Sequence, residues 1–345
     1  MGRFLGVVVL SLVALVGAAW LAFRVPDLPY ETLEVAYTSP TSQFITLETG
    51  GRVHYRDEGL EDGPVLVLVH GFSASLHTWE DWVGALGEDY RILSLDLPGH
   101  GLSRNFDLEA VGTSGFVEVI DAITRLNGID RFALAGSSMG GHAAWAYALE
   151  HPEKVEGLIL VAAAGWPPTE AELEGTPLVF KALGNGLVRR VVKDLDVRPM
   201  VKSGLEASFV DQSFVTDAMV DRYAALNRGP GHRRAIVHLL SGDGDRTMAS
   251  EAALATISAP TLVLHGDQDR LVPVSSGRRF ADVIPGAEIV IYENVGHIPQ
   301  EEVAAESAED VRDFLDERVW PTAAPVPAVS SRGSSNAVSD GLNQP

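Results

Sequence analysis

Six short, predominantly apolar runs spaced by helix-patterned segments limit what this chain can become. They are Val65–Val69, Arg91–Leu95, Phe132–Ala135, Leu158–Val161, Thr261–Leu264 and Ile289–Tyr292. Each is too short for a buried helix and lacks the strict polar–apolar alternation of a half-exposed strand. Such runs predict strands buried on both faces, which requires helices on both sides of the sheet. The intervening segments supply them. Leu76, Trp79, Val83 and Leu86 share one helical face; Phe116, Val119, Ile120 and Ile123 share another, with Gly128 as its stop. Gly140–Glu150 and Val303–Leu315 also read as helices. Ahead of the first run, Gln43–Glu48 and Arg52–Asp57 alternate around Gly50-Gly51, a hairpin signal. Together these predict an α/β fold: a mostly parallel, eight-stranded sheet covered by helices, its crossovers right-handed.

The rhythm breaks between Pro167 and Met248. Helical patches at Leu178–Leu183, Leu187–Val192, Val215–Leu226 and Arg234–Leu240 replace strands there. This predicts a helical insertion at about 167–248. It starts just past a strand end, where open α/β sheets bind ligands, so it is expected to act as a lid. The folded domain is expected over 43–319.

Phe4–Phe23 is almost wholly apolar. About 20 helical residues cross a bilayer core of roughly 30 Å, so residues 1–24 are expected to anchor the chain in a membrane. Arg3 and Arg24 nearly cancel, and the acidic residues after Arg24 favour a domain on the extracytoplasmic side. Gly17-Ala18-Ala19 offers the alternative of a cleaved signal and secretion. Residues 25–42, with Pro26 and Pro29, are expected to be a linker. Residues 320–345, rich in Pro, Ser, Ala and Gly, are expected to be a disordered tail.

Lys and Arg number 26 against 47 Asp and Glu, a net charge of −21. That surface repels phosphate backbones, so nucleic acid is not an expected partner. With no cysteine, disulfides, thiolate nucleophiles and zinc–thiolate sites are excluded. No cofactor and no metal are expected: no phosphate-binding glycine loop and no H-E-x-x-H occurs. His54, His77, His142, His151, His232 and His265 show neither metal-ligand spacing nor an identifiable carboxylate partner.

The chemistry-bearing motifs follow strand ends. Gly136-Ser137-Ser138-Met139-Gly140 lies between a buried strand and a small-residue helix. A strand-to-helix turn this tight needs residues almost free of side chains two before and two after its apex. Ser138 has them and Ser137 does not, which makes Ser138 the candidate nucleophile. His70-Gly71-Phe72 follows another strand end. The backbone N–H groups of Phe72 and Met139 are the candidate donors to an oxyanion. Asp96 and His100, in the turn-rich loop up to Ser103, read as structural. Asp269 and His297 each sit in a loop just past a strand and reach the same sheet edge. Asp267 is a rival acid that position alone does not separate from Asp269, and Asp243 and Asp245 are weaker rivals.

His70-Gly71-Phe72, Asp96–Ser103, Gly136–Gly141, Gly266–Pro273 and Gly296-His297-Ile298-Pro299 occur in the order seen in the α/β-hydrolase superfamily, which the chain resembles from about Gln43 to Val319. The resemblance implies the triad order nucleophile, acid, base. It selects Asp269, four residues before Pro273, and so implies Ser138, Asp269 and His297 as the catalytic residues. It also implies a serine hydrolase acting on a small-molecule ester or related carbonyl compound, with a carboxylic ester as the expected substrate. His70-Gly71-Phe72 and Gly136–Gly141 also resemble the hydrolases of aromatic meta-cleavage products, which implies C–C bond hydrolysis as the alternative. Those relatives often carry Trp after the catalytic histidine, where this chain has Ile298. A non-catalytic binding protein on the same fold is the alternative from another class.

Overall fold

The computed structural model describes residues 2–167, 185–242 and 244–321. The helical patch expected at Leu178–Leu183, the rival acid Asp243 and nearly all of the expected tail lie outside the described residues.

Eight strands form one sheet in the order β1-β2-β4-β3-β5-β6-β7-β8. They are β1 (Ser42–Thr46), β2 (Arg52–Gly59), β3 (Val65–Val69), β4 (Arg91–Leu95), β5 (Phe132–Ser137), β6 (Val155–Val161), β7 (Thr261–Gly266) and β8 (Glu288–Tyr292). β2 runs antiparallel to both its neighbours, β1 and β4. The other pairs are parallel. The hairpin turns at Gly50, whose φ of 88° lies in the left-handed region that a glycine enters freely. Each expected strand is present, and β5 and β7 run two residues further than their apolar runs, to Ser137 and Gly266.

Two apolar layers flank the sheet. One joins Val67, Val69, Leu134 and Leu160 to the helices α4 (Thr113–Leu126) and α5 (Met139–Glu150) through Ile120, Ile123, Ala144 and Trp145. The other joins Leu66, Leu68, Ile159 and Leu264 to α3 (Glu80–Leu86) and to α13 (Ala304–Phe314) through Trp82, Leu86, Val311 and Phe314. Alternate residues of β3 therefore enter opposite layers, as the period-two pleat of a doubly covered strand requires.

The insertion joins β6 to β7 and is helical where it is described: α6 (Gly186–Val192), α7 (Arg198–Ser208), α8 (Asp217–Leu226) and α9 (His232–Ser241). It has a small core of its own, built on Val201, Leu205, Phe209, Val220 and Tyr223. Ile298, next to His297, packs into that core. After β7 come α11 (Val274–Val283) and, following β8, the single turn α12 (Pro299–Glu302); the four-residue α10 (Glu251–Leu254) precedes β7.

The N-terminal segment departs from expectation twice. α1 (Gly2–Phe23) contains the stretch expected to anchor the chain, but no helix among the described residues is long and apolar enough to cross a membrane. The expectations of a membrane anchor at 4–23 and of an extracytoplasmic domain are corrected accordingly. The end of α1 is fastened to the insertion: Arg24 bridges Leu195, and Val25 N–H donates to Asp194 O at 2.9 Å. The linker expected at 25–42 carries a helix, α2 (Tyr30–Tyr37), whose Tyr30 and Leu33 are buried against Leu102 and Leu226. Tyr30 Oη lies 2.9 Å from His232 Nε2, and Arg233 pairs with Asp27 at 2.6 Å. Buried apolar area and these polar contacts hold the segment against the insertion, where its prolines alone suggest an extended spacer.

Candidate active site

β5 ends in a sharp turn. Ser138 sits at its apex with φ 54° and ψ −113°, a conformation unusual for a residue with a side chain. Sterics explain the flanking glycines. A Cβ on Gly136 would lie 2.2 Å from Gly140 O, and one on Gly140 would lie 2.2 Å from Val69 O. The turn is clamped by Ser138 N–H donating to Val161 O at 2.9 Å and Ala164 N–H to Ser138 O at 3.0 Å. α5 begins at Met139, so its positive dipole end lies at the serine.

The loop after β3 adjoins this apex. The position a Cβ would take on Gly71 is 3.2 Å from Ser138 Cβ. His70 is buried, and its Nε2 accepts from Leu97 N–H at 3.0 Å, so its Nδ1 carries the proton and donates to Gly71 O at 2.7 Å. Burial holds His70 below the usual imidazole range, against the pull of Asp96, in keeping with a neutral ring. Because the peptide is planar and trans, fixing the Gly71 carbonyl also fixes the opposite direction of the Phe72 N–H. Among the described residues neither Phe72 N–H nor Met139 N–H has an acceptor within the protein.

At the ends of β7 and β8 the structure brings Asp269 and His297 together. His297 Nδ1 donates to Asp269 Oδ2 at 2.7 Å, and the carboxylate is fully buried. Oδ1 accepts the N–H groups of Leu271 at 2.8 Å and Val272 at 2.9 Å. Burial alone would raise this carboxyl. The contacts with His265 and His297 and the Val272 N–H outweigh it and hold Asp269 below the usual carboxylate range. The rival Asp267 is exposed and caps a turn, accepting Asn294 N–H at 2.7 Å. Asp245 is bound to Ser114. Ser138 Oγ and His297 do not form a hydrogen bond in this structure.

Asp96 takes the structural place expected of it. It is fully buried and accepts from His54 Nδ1 at 2.7 Å and from the N–H groups of Leu76 and Leu102, each at 2.8 Å. His100 is buried beside Phe72, their ring centroids 6.3 Å apart, and burial lowers it to about 3. His265 was missed by sequence reasoning: its Nε2 donates to Val272 O at 2.9 Å and lies 3.2 Å from Asp269 Oδ2. Its four-residue spacing from Asp269 was the available signal. Among the described residues no cluster of side chains suited to a metal ion occurs.

A family model described as the alpha/beta hydrolase fold matches residues 64–304. The chain belongs to the alpha/beta hydrolase family. A 2-hydroxy-6-oxononadienedioate/2-hydroxy-6-oxononatrienedioate hydrolase of Klebsiella pneumoniae is 31% identical over 80% of this chain and 96% of its own. The 2-hydroxy-6-oxo-6-phenylhexa-2,4-dienoate hydrolase of Burkholderia cepacia is 28% identical over 80% and 97%. Among solved structures, a membrane phospholipase A described as a bacterial virulence factor superposes with a TM-score of 0.67 at 29% identity, covering 92% of this chain and 98% of that one. The chain is thus a hydrolase by family. The residues that act and the bond they break are matters of chemistry.

Proposed function

We propose that this chain is a serine hydrolase in which Ser138 attacks a substrate carbonyl, His297 takes and returns the proton, and Asp269 orients His297. The observation that carries this reading is the 2.7 Å contact between His297 Nδ1 and the buried Asp269 Oδ2. It leaves Nε2 as the ring's free base, at the sheet edge where the Ser138 turn ends. As the Ser138 oxygen bonds to the carbonyl carbon, its proton passes to His297 Nε2. The N–H groups of Phe72 and Met139 stabilise the oxyanion, each donor worth about 3 kcal/mol. The imidazolium then protonates the leaving group, and a water activated by His297 releases the acyl group from Ser138. The helical insertion is the candidate lid over this edge.

The names of the curated relatives favour hydrolysis of a carbon–carbon bond, in substrates that those names make carboxylates, over the expected ester. One comparison weighs toward an ester: among solved structures the phospholipase A covers 92% of the chain, against 80% for a meta-cleavage product hydrolase. Because the names of the curated relatives speak to the bond broken, we take carbon–carbon hydrolysis as the first reading and a carboxylic ester as the second.

Turnover of p-nitrophenyl acyl esters of graded chain length, against turnover of a 2-hydroxy-6-oxo-dienoate, separates the two. Turnover of the dienoate that disappears in Ser138→Ala supports the first. Turnover of the esters alone supports the second. A chain that turns over neither substrate and takes no label from a fluorophosphonate contradicts both.

A further inference from the structure

The loop that carries His297 is bound to the insertion by its backbone. His297 N–H donates to Ser208 O, at the end of α7, at 2.6 Å. Gly296 crosses so close to that segment that a Cβ on it would lie 2.2 Å from Ser208 O. On the other side of the histidine, Ile298 packs among Val201, Leu205, Phe209 and Tyr223. One side chain closes the junction. Glu302 Oε2 accepts Gly296 N–H at 2.7 Å, while its Oε1 accepts the N–H groups of Val210 and Asp211, each at 2.8 Å. A single carboxylate thus satisfies backbone donors from two segments that are more than eighty residues apart in sequence. The amide of a glutamine could not replace it: with one acceptor atom and one NH2 group, it would set a donor against a donor on one side or the other.

We propose that Glu302 is a positioning residue, whose carboxylate locks the Gly296–His297 backbone to the Ser208–Asp211 segment so that the seating of the insertion sets where the His297 ring stands. This rests on the reading of His297 as the base. Glu302 touches neither the reacting atoms nor Asp269; it acts through the backbone one residue before the base. The neighbouring contacts suit such a junction. Gln300 Nε2 donates to Thr78 Oγ1 at 3.1 Å and to Ser137 Oγ at 3.3 Å, and Glu301 meets Thr78 and Tyr223.

The test compares the full chain with Glu302→Gln, using whichever of the two substrates the chain turns over and the low-field proton resonance of the His297–Asp269 hydrogen bond. The variant is expected to lose about tenfold in kcat, with KM changed less than about twofold, and to shift or broaden that resonance. Wild-type kcat with an unmoved resonance would overturn the proposal. So would a loss of activity that merely follows the folded fraction while the resonance per folded molecule stays in place. Should Glu302→Gln fail to fold, Gly296→Ala displaces the same contact from the Ser208 side and is expected to reproduce both changes; an unaltered kcat there overturns the proposal equally. Wild-type protein that a fluorophosphonate does not label would speak against the catalytic reading. The resonance does not depend on that reaction and reports on Glu302 separately.

Discussion

The turn at Ser138 and the loop at His297 lie at the same edge of one sheet, yet the balance of what holds them differs. The serine turn is shaped chiefly by exclusion: Gly136 and Gly140 lie where a Cβ would strike a backbone atom, and a Cβ on Gly71 would crowd the serine itself. The histidine loop has a close approach of its own, Gly296 against Ser208 O, but is held chiefly by recognition: the carboxylates of Asp269 and Glu302 and the Ser208 carbonyl each bind particular N–H groups. Exclusion leaves its mark on the sequence as spaced glycines. Recognition leaves little mark, because its partners come from distant parts of the chain.

This contrast can be broken or sharpened by substitution. The largest effect is expected from Ser138→Ala, which removes the proposed nucleophile and should lower kcat by about 10⁴-fold or more, read by steady-state hydrolysis. Asp269→Asn comes next. The amide leaves the geometry nearly intact but favours the wrong tautomer of His297, and kcat should fall by about 10²- to 10⁴-fold. An effect below tenfold would mean that the buried pair is not what orients the base. His265→Ala should be milder. It removes the donor to Val272 O and the ring beside Asp269 Oδ2, and about tenfold in kcat is expected, with the acid limb of the pH–rate profile displaced.

Glu301 offers a test in stability. Burial raises its carboxyl to about 7, opposed by the hydrogen bond from Thr78 and by Arg222. The native value lies above the unfolded value, so the folded state holds the extra proton. The associated stability is full below the unfolded carboxyl range and is lost as pH rises from about 4.5 to about 7. Urea unfolding at about pH 5 and pH 8 should show wild type losing about 1–3 kcal/mol more than Glu301→Gln over that interval. Equal losses would place the carboxyl in water. The smallest effect is expected from Tyr30→Phe, which removes the hydroxyl facing His232. A loss of about 1 kcal/mol in the same assay would show that α2 is held to the insertion largely by its apolar face.

The legibility of the molecule follows the same division. The strands were readable because a strand buried on both faces must be apolar without interruption, and Val65–Val69 or Leu158–Val161 admit few other readings. Their ends were less readable: β5 and β7 continue to Ser137 and Gly266, where packing at the sheet edge, not side-chain hydropathy, sets the limit. Ser138 stood out through its glycines, whereas Asp269 was separable from Asp267 only by family resemblance. The structure distinguishes them physically, one carboxylate buried against two histidines and the other exposed on a turn. Residues 25–42 were misread because Tyr30 and Leu33 find their partners at Leu102 and Leu226, beyond any local pattern. The reading of residues 4–23 rested on the length of an apolar run alone, and that criterion is blind to the attachment of Arg24 and Val25 to the insertion. Glu302 carried no signal, since three backbone donors converging on one carboxylate leave no mark near it in sequence.

The most direct measurement is peptide-level mass spectrometry of the chain after reaction with a fluorophosphonate, repeated on His297→Ala. The account predicts a single adduct, on Ser138, that forms rapidly in the wild type and is all but absent from the variant. An adduct on another residue, or labelling of Ser138 at an undiminished rate without the His297 imidazole, would contradict it.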